Sequence, residues 1–517
     1  MGWISFFLST ISITIFLTSS VSVSGELSGQ LASIQAYLSA ARSSSSPDAA
    51  VTPLNNAYSA MYNITGSGSP QYANEMRQQI SGLSKQLYDT RISLRGISAK
   101  VMESGGEMSP QLRSALADNF RSLRYLEEAA SSCYSGTPPI PPGEDNMARR
   151  AQENQRTRER DKLVSPDPNA APLSAGTLNA GDILVMRGTA GVSSAIARLG
   201  QDRAQFSHAA MITQGADGKK YVVEALIESG VVRTELSAWL NSHQSLARLA
   251  VYSPKDGPFG ACAADASTWL NSQVDAAKAA GRQIPYNFSM SEQGEGFYCA
   301  QLIQKAYKNT KCSAHRLPLT QSIFPSDHRR NILRKIGVPD STTTIFSPSD
   351  MEFDSRFKVR EYRNLARTDA ARVNDLIMDK IIDTVNKENL TPQNSQIVTK
   401  LGQSIVERLQ VAKSRNPGLE NAFQGIGSWT NTQLRNVPSG ALNVMNSMNQ
   451  TQALVMAELA DFVKTKSNRG LLECPPMSPK EISGALDEML GDPKIREKVM
   501  VSFVNAEGVG ANSAARR

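Results

Sequence analysis

Three residues of this chain have the types that nucleophilic catalysis needs: Cys299, His208 and Glu224. A thiolate can attack a carbonyl, an imidazole can take and return the proton, and a carboxylate can fix the imidazole tautomer. Cys299 lies in Gly294-Glu-Gly-Phe-Tyr-Cys-Ala-Gln-Leu-Ile-Gln-Lys-Ala-Tyr307. Leu302, Ile303, Ala306 and Tyr307 recur at helical spacing, and the preceding glycines end any earlier helix. A helix beginning close to Cys299 sets its sulfur against unpaired N–H groups and the positive end of the macrodipole, which favours the thiolate. The same N–H groups can receive the oxyanion of a tetrahedral intermediate. Taken alone, however, a helical cysteine reads more readily as a core residue.

The other two residues sit on a hairpin pattern. Ser207–Gln214 and Lys219–Leu226 are β-compatible runs flanking the Gly215-Ala-Asp-Gly218 turn. A loop centred on Ala216 puts His208 directly opposite Glu224, with Cβ atoms roughly 5 Å apart. A one-residue slip would separate them. By itself the pair is equally consistent with a solvent-facing His/Glu contact.

The elements that must position these groups follow from periodicity and breakers. Residues 26–135 are expected to be helical, with stripes at Leu83, Leu87, Ile92 and Leu94 and at Leu112, Leu116, Phe120, Leu123 and Leu126. Ser109-Pro110 marks a helix start. Residues 136–175, rich in proline and then in charge, are expected to be a linker. Residues 176–345 change to short β runs such as Ile183–Met186, Ala209–Ile212 and Tyr221–Val223, with helical stretches at 261–280 and 297–308. Residues 360–517 return to helical stripes: Val373, Leu376, Ile377, Ile381 and Val385, then Ile397, Leu401, Ile405 and Leu409. Ser478-Pro-Lys-Glu481 fits a capping box. Packing of these stripes against one another is a commoner outcome than a membrane or partner face.

Within 176–345 a set of short motifs occurs in order: Gly181-Asp-Ile-Leu184, Phe206-Ser-His-Ala-Ala-Met211, Val222-Val-Glu-Ala225, Pro285-Tyr-Asn-Phe288 and Phe297-Tyr-Cys-Ala-Gln-Leu302. The set resembles the circularly permuted branch of the NlpC-type papain-like cysteine hydrolases, the YiiX/YaeF-like group. The order His, Glu, Cys is the mark of the permutation. The resemblance implies an α+β fold: a permuted papain-like domain of antiparallel sheet plus helices, flanked here by N- and C-terminal all-helical regions. It also implies amidase-type chemistry with Cys299 as nucleophile, His208 as base and Glu224 orienting it. Two positions depart from the group: Cys-Ala-Gln stands for the usual Cys-Ser-Glu, and Tyr-Asn-Phe for Tyr-Asp-Phe. Gln301 and Asn287 are expected to be supporting residues, as Asp182 is expected to be a structural turn residue.

Composition bounds the rest. At 517 residues, 40% hydrophobic and 20% charged, the chain has the make-up of a soluble multidomain protein, and a net charge of +7 is mild for its length. The basic cluster Arg149, Arg150, Arg156, Arg158, Arg160 and Lys162 is interrupted by acids. It is expected to be a solvated linker, with attraction to an anionic membrane surface or to nucleic acid as the alternative. No nucleic-acid motif, Walker or dinucleotide loop, zinc spacing or HExxH helix occurs, so neither a cofactor nor a nucleic-acid partner is expected. His243, His315 and His328 lack an acidic partner at useful spacing. Residues 1–24 carry the apolar run Ile4–Leu17 and a small-x-small site before Gly25, which suggests an export signal; an uncleaved anchor is the alternative, since no Lys or Arg precedes Arg42. Export would permit disulfides among Cys133, Cys262, Cys312 and Cys474, and Asn63, Asn287, Asn389 and Asn449 sit in sequons. Three functions follow: amide hydrolysis on a cell-envelope peptide or peptidoglycan stem, acyl hydrolysis or transfer on a lipid through an acyl-thioester on Cys299, or a non-catalytic secreted binding or toxin protein.

Overall fold

The computed structural model describes residues 26–64, 70–103, 107–132, 162–243, 246–310, 317–393, 437–468, 470–472 and 476–505. The suggested export signal, the basic cluster up to Arg160, the 397–409 stripe, His315, Cys133, Cys312 and Cys474 lie outside them.

Four N-terminal helices, α1 (Glu26–Ser43), α2 (Val51–Tyr62), α3 (Pro70–Glu103) and α4 (Pro110–Ser132), precede the sheet. Their stripes, including Leu87, Leu94, Leu116 and Phe120, close on one another as a core of their own, as helical amphipathicity requires. Seven antiparallel strands follow: β1 (Leu163–Val164), β2 (Ile183–Arg187), β3 (His208–Gln214), β4 (Lys220–Leu226), β5 (Gly230–Glu235), β6 (Arg248–Pro254) and, after the small hairpin of β7 (Ser322–Ile323) and β8 (Thr344–Ile345), β9 (Phe357–Asn364). Their spatial order is β1-β9-β6-β2-β3-β4-β5. The sheet is thus wider than the expected limits of 176–345. β9 pairs with β6 over seven positions, and β1 comes from the stretch expected to be linker. Without β9, the ladder groups on one side of β6 would be left open.

Both faces of the sheet are buried, so β2 is apolar from Ile183 to Met186, before the buried Arg187, and alternates only in which core it serves. Ile183 and Val185 face one core with Ala209, Met211 and Val223; Leu184 and Met186 face the other with Ala210, Ile212, Val222 and Trp239. The first core is closed by helices α5 (Gly191–Ile196), α7 (Pro258–Ala279), α8 (Cys299–Lys308) and α9 (Arg329–Ile336). It runs on without a break into the C-terminal helices α10 (Leu365–Lys387), α11 (Ser439–Ser467) and α12 (Pro479–Gly491). Helix α6 (Leu236–Ser242) covers the second core. Ser478 caps α12 as expected, its side chain accepting from Glu481 N–H.

Candidate active site

His208 opens β3 and Glu224 lies inside β4. The register differs from the expected one: Ala210 stands opposite Glu224 and Gln214 opposite Lys220. The turn is closed by Gly215 N–H donating to Lys219 C=O at 2.9 Å, with Gly218 at φ +76°, which centres the loop one residue later than Ala216. Each one-residue displacement of a hairpin centre moves the pairing by two positions, and a two-residue shift preserves the face. His208 and Glu224 are therefore diagonal neighbours, and long side chains bridge that separation. His208 Nε2 lies 2.7 Å from Glu224 Oε2.

Cys299 is the first residue of α8 and is buried, 6% exposed. It is the free cysteine among those described, whereas Cys262 is held in a disulfide. Cys299 is the neighbour that, with Glu224, acts on the ionisation of His208. With Nε2 turned to Glu224, the other ring nitrogen, Nδ1, is the one left for the sulfur. The imidazole is a quarter exposed. Burial alone would lower its pKa, but the hydrogen bonds and charges of Cys299 and Glu224 outweigh that and push it up to about 10. Burial would likewise raise the Glu224 carboxyl; the His208 bond and charge overcome it and hold the group below its usual range.

Two supporting arrangements hold these groups, and in neither was the pairing legible in the sequence. Trp239, 1% exposed on α6, donates its indole N–H to Glu224 Oε1 at 2.9 Å, so both carboxylate oxygens are engaged. A buried indole must find an acceptor, and that need was the available signal. His243 stacks on Trp239 with ring centroids 4.0 Å apart and faces the Trp239 C=O, a packing role.

The second arrangement joins the two departures. Asn287 Nδ2 donates to Gln301 Oε1 at 2.9 Å, and Gln301 Nε2 donates to Ser291 C=O at 2.8 Å. Gln301 Oε1 also accepts from Tyr298 N–H at 3.3 Å, which ties down the residue before the nucleophile. The two amides fit as a complementary pair, so the substitutions at 287 and 301 belong together. Gly296, at φ +78°, completes the approach: a Cβ there would collide with Pro285 C=O. Asn287 and Asn449 are buried and hydrogen-bonded, which removes them as glycan acceptors in the folded chain. Asp182 accepts from Asn179 N–H at 2.9 Å, closing the turn before β2.

Among the described residues, no group of three or more His, Cys, Asp or Glu could hold a metal ion. No curated protein matches the chain. A solved structure titled metalloprotein yiiX from Escherichia coli O157:H7 is similar at 20% identity over 35% of this chain and 95% of that one. Its TM-score is 0.26, too low for the likeness to bear on fold or metal. The family model described as permuted papain-like amidase enzyme, YaeF/YiiX, C92 family, matches residues 177–344, roughly a third of the chain and the part that holds all three candidate residues. The central segment, residues 177–344, is thus similar to the permuted papain-like amidases of the YaeF/YiiX family.

Proposed function

We propose that the chain is a thiol hydrolase that cleaves amide bonds in cell-envelope peptides or peptidoglycan stems. Cys299 attacks the carbonyl, His208 passes its proton to the leaving amine, and Glu224 holds the ring and stabilises its charged form. The observation that carries this reading is a single imidazole bonded to a buried carboxylate and raised in pKa by a sulfur at a helix start. The N–H groups of the first helical turn have no carbonyl one turn back and can donate to the developing oxyanion.

Peptide is favoured over lipid by where the apolar stripes go. Leu87, Leu116, Val373 and Ile377 face protein cores, and among the described residues the large hydrophobics left exposed are Tyr37 and Val164. Lipid acyl chemistry remains the other arm of the test. Purified protein should release product from muropeptides and not from phospholipid vesicles, with Cys299→Ala inactive on both. Release of fatty acid without muropeptide cleavage would reverse the substrate assignment. The envelope setting rests on residues 1–24 acting as an export signal, and mass spectrometry of exported protein should find a mature N-terminus near Gly25.

A further inference from the structure

A cavity of about 270 Å³ opens where the N-terminal helices, the stretch 198–205 and the C-terminal helices meet. Its floor holds Arg121, Arg198 and Arg372 with Asp375 and Asp379. Arg198 is 5% exposed. Its Nε donates to Asp379 Oδ1 at 2.6 Å and its Nη1 to Asp375 Oδ1 at 3.1 Å, while Nη2 is buried with no hydrogen-bond partner among the described residues. Arg121 uses Nη2 on Asp118 at 3.1 Å. Its Nη1 is buried without a hydrogen bond, and Asp379 Oδ2 stands off at 3.7 Å. Asp375 has no capacity to spare, being shared by Arg187, Arg198 and Arg248.

Arg121 is paired with Asp118 and Arg372 with Asp369 at 2.9 Å, so these charges are balanced, yet two guanidinium donors of the floor, Arg121 Nη1 and Arg198 Nη2, are left unused. Native interiors seldom leave such donors unmet unless an unseen group meets them. The walls are apolar and aromatic: Met61, Leu126, Tyr58 and Tyr62, the two rings 6.2 Å apart. The mouth is edged by the pairs Arg203–Asp383, at 3.4 Å, and Lys380–Asp487, which neutralise themselves.

We propose that this cavity binds a small organic carboxylate, its oxygens accepting from Arg121 Nη1 and Arg198 Nη2 and its body lying against Tyr58 and Tyr62. None of Cys299, His208 and Glu224 lines it, so it is a second site. Gln205 does line it, accepts from Arg124 Nη1 at 2.6 Å and stands three residues before His208. An occupied cavity therefore ties the N-terminal helices to the stretch that delivers the base.

Calorimetric titration of the full chain with benzoate, with inorganic phosphate and with chloride at matched ionic strength tests this. Benzoate should bind at one saturable site, and Arg121→Gln should weaken it about tenfold or more through loss of a charge-assisted bond. Cys299→Ala should bind as wild type does. Should Arg121→Gln fail to fold, Tyr62→Leu, which removes a wall ring, must show the loss instead. The proposal is overturned by absent saturation, by affinity indifferent to both substitutions, by binding of phosphate in place of benzoate, or by loss of binding in Cys299→Ala, which would put the ligand at the other site.

Discussion

Two buried polar regions lie on this sheet, and they are built on opposite principles. At the seam with the N-terminal helices, Arg91 grips Glu127 (2.6 Å) and Glu361 (2.6 Å), while Arg124 bonds Glu352 (2.5 Å), Glu361 (3.0 Å) and Gln205 (2.6 Å). Arg95 spends all three guanidinium nitrogens on the backbone carbonyls of Glu352, Asp354 and Phe357. Those charges are consumed by one another: Glu361, between Arg124 and Arg91, is held far below the usual carboxylate range despite its burial. At Cys299 the polar groups are few, and the imidazole that senses both the sulfur and the Glu224 carboxylate is still a quarter exposed. Burial and perturbed ionisation are common to both regions, so neither identifies a reactive site. What sets the second region apart is a part-exposed imidazole beside a sulfur at the start of a helix.

The sharpest way to break that contrast is to measure turnover and stability in the same variants. Cys299→Ala should take amide hydrolysis to background while leaving the urea midpoint near wild type. His208→Ala should be almost as inactive, and the double variant no worse, because the pair acts as a unit. An active Cys299→Ala protein would move the nucleophile elsewhere.

Arg91→Met should show the reverse profile. Among the described residues it leaves Glu127 with only Arg363, 3.6 Å away, and Glu361 with only Arg124, and breaking a buried pair on one side costs about 3–5 kcal/mol. Urea titration should read that loss, with specific activity per folded molecule unchanged. Stability equal to wild type would mean that the seam's charges are not holding the helices down.

Smaller effects separate the residues that hold the base. Glu224→Gln keeps shape and one hydrogen bond, and kcat/KM should fall well below wild type yet stay above His208→Ala. Trp239→Phe removes only the indole N–H from Glu224 Oε1. It should cost about tenfold in kcat/KM, the equivalent of one hydrogen bond to a charged group. The loss should be smaller in a Glu224→Gln background if Trp239 acts through that carboxylate.

The smallest expected signal is in pH. His208 has a folded pKa of about 10 against an ordinary 6.5. The sign follows from linkage: a raised folded value stabilises fully below pH 6.5, and that contribution is lost as pH rises through about 10. The urea stability gap between wild type and His208→Ala should be level in acid and shrink steadily across that window. A gap that widened with pH would contradict the charged-imidazole arrangement.

How much of this could be read from the sequence depended on the range of the interaction. Short β-compatible apolar runs between glycine turns placed β2, β3 and β4, because a strand buried on one or both faces must show it locally. The glycines before Cys299 and the stripe after it placed the helix start within a residue. Ser478 announced its cap for the same reason. The His208–Glu224 pairing survived a register two residues away from the expected one because strand faces repeat every two residues, so the face was determined where the partner was not.

Tertiary structure decided the rest. Nothing near Trp239 in the chain says that its N–H meets Glu224, 15 residues earlier. Nothing near Asn287 says that it meets Gln301, 14 residues on. β9 joins the sheet from more than a hundred residues beyond β6, and Arg91 finds Glu361 across 270 positions. Local patterning records which side of an element is buried, since that preference is repeated along the element. A single polar contact between distant segments leaves no repeat, and only the packed chain can say which partner each buried group has found.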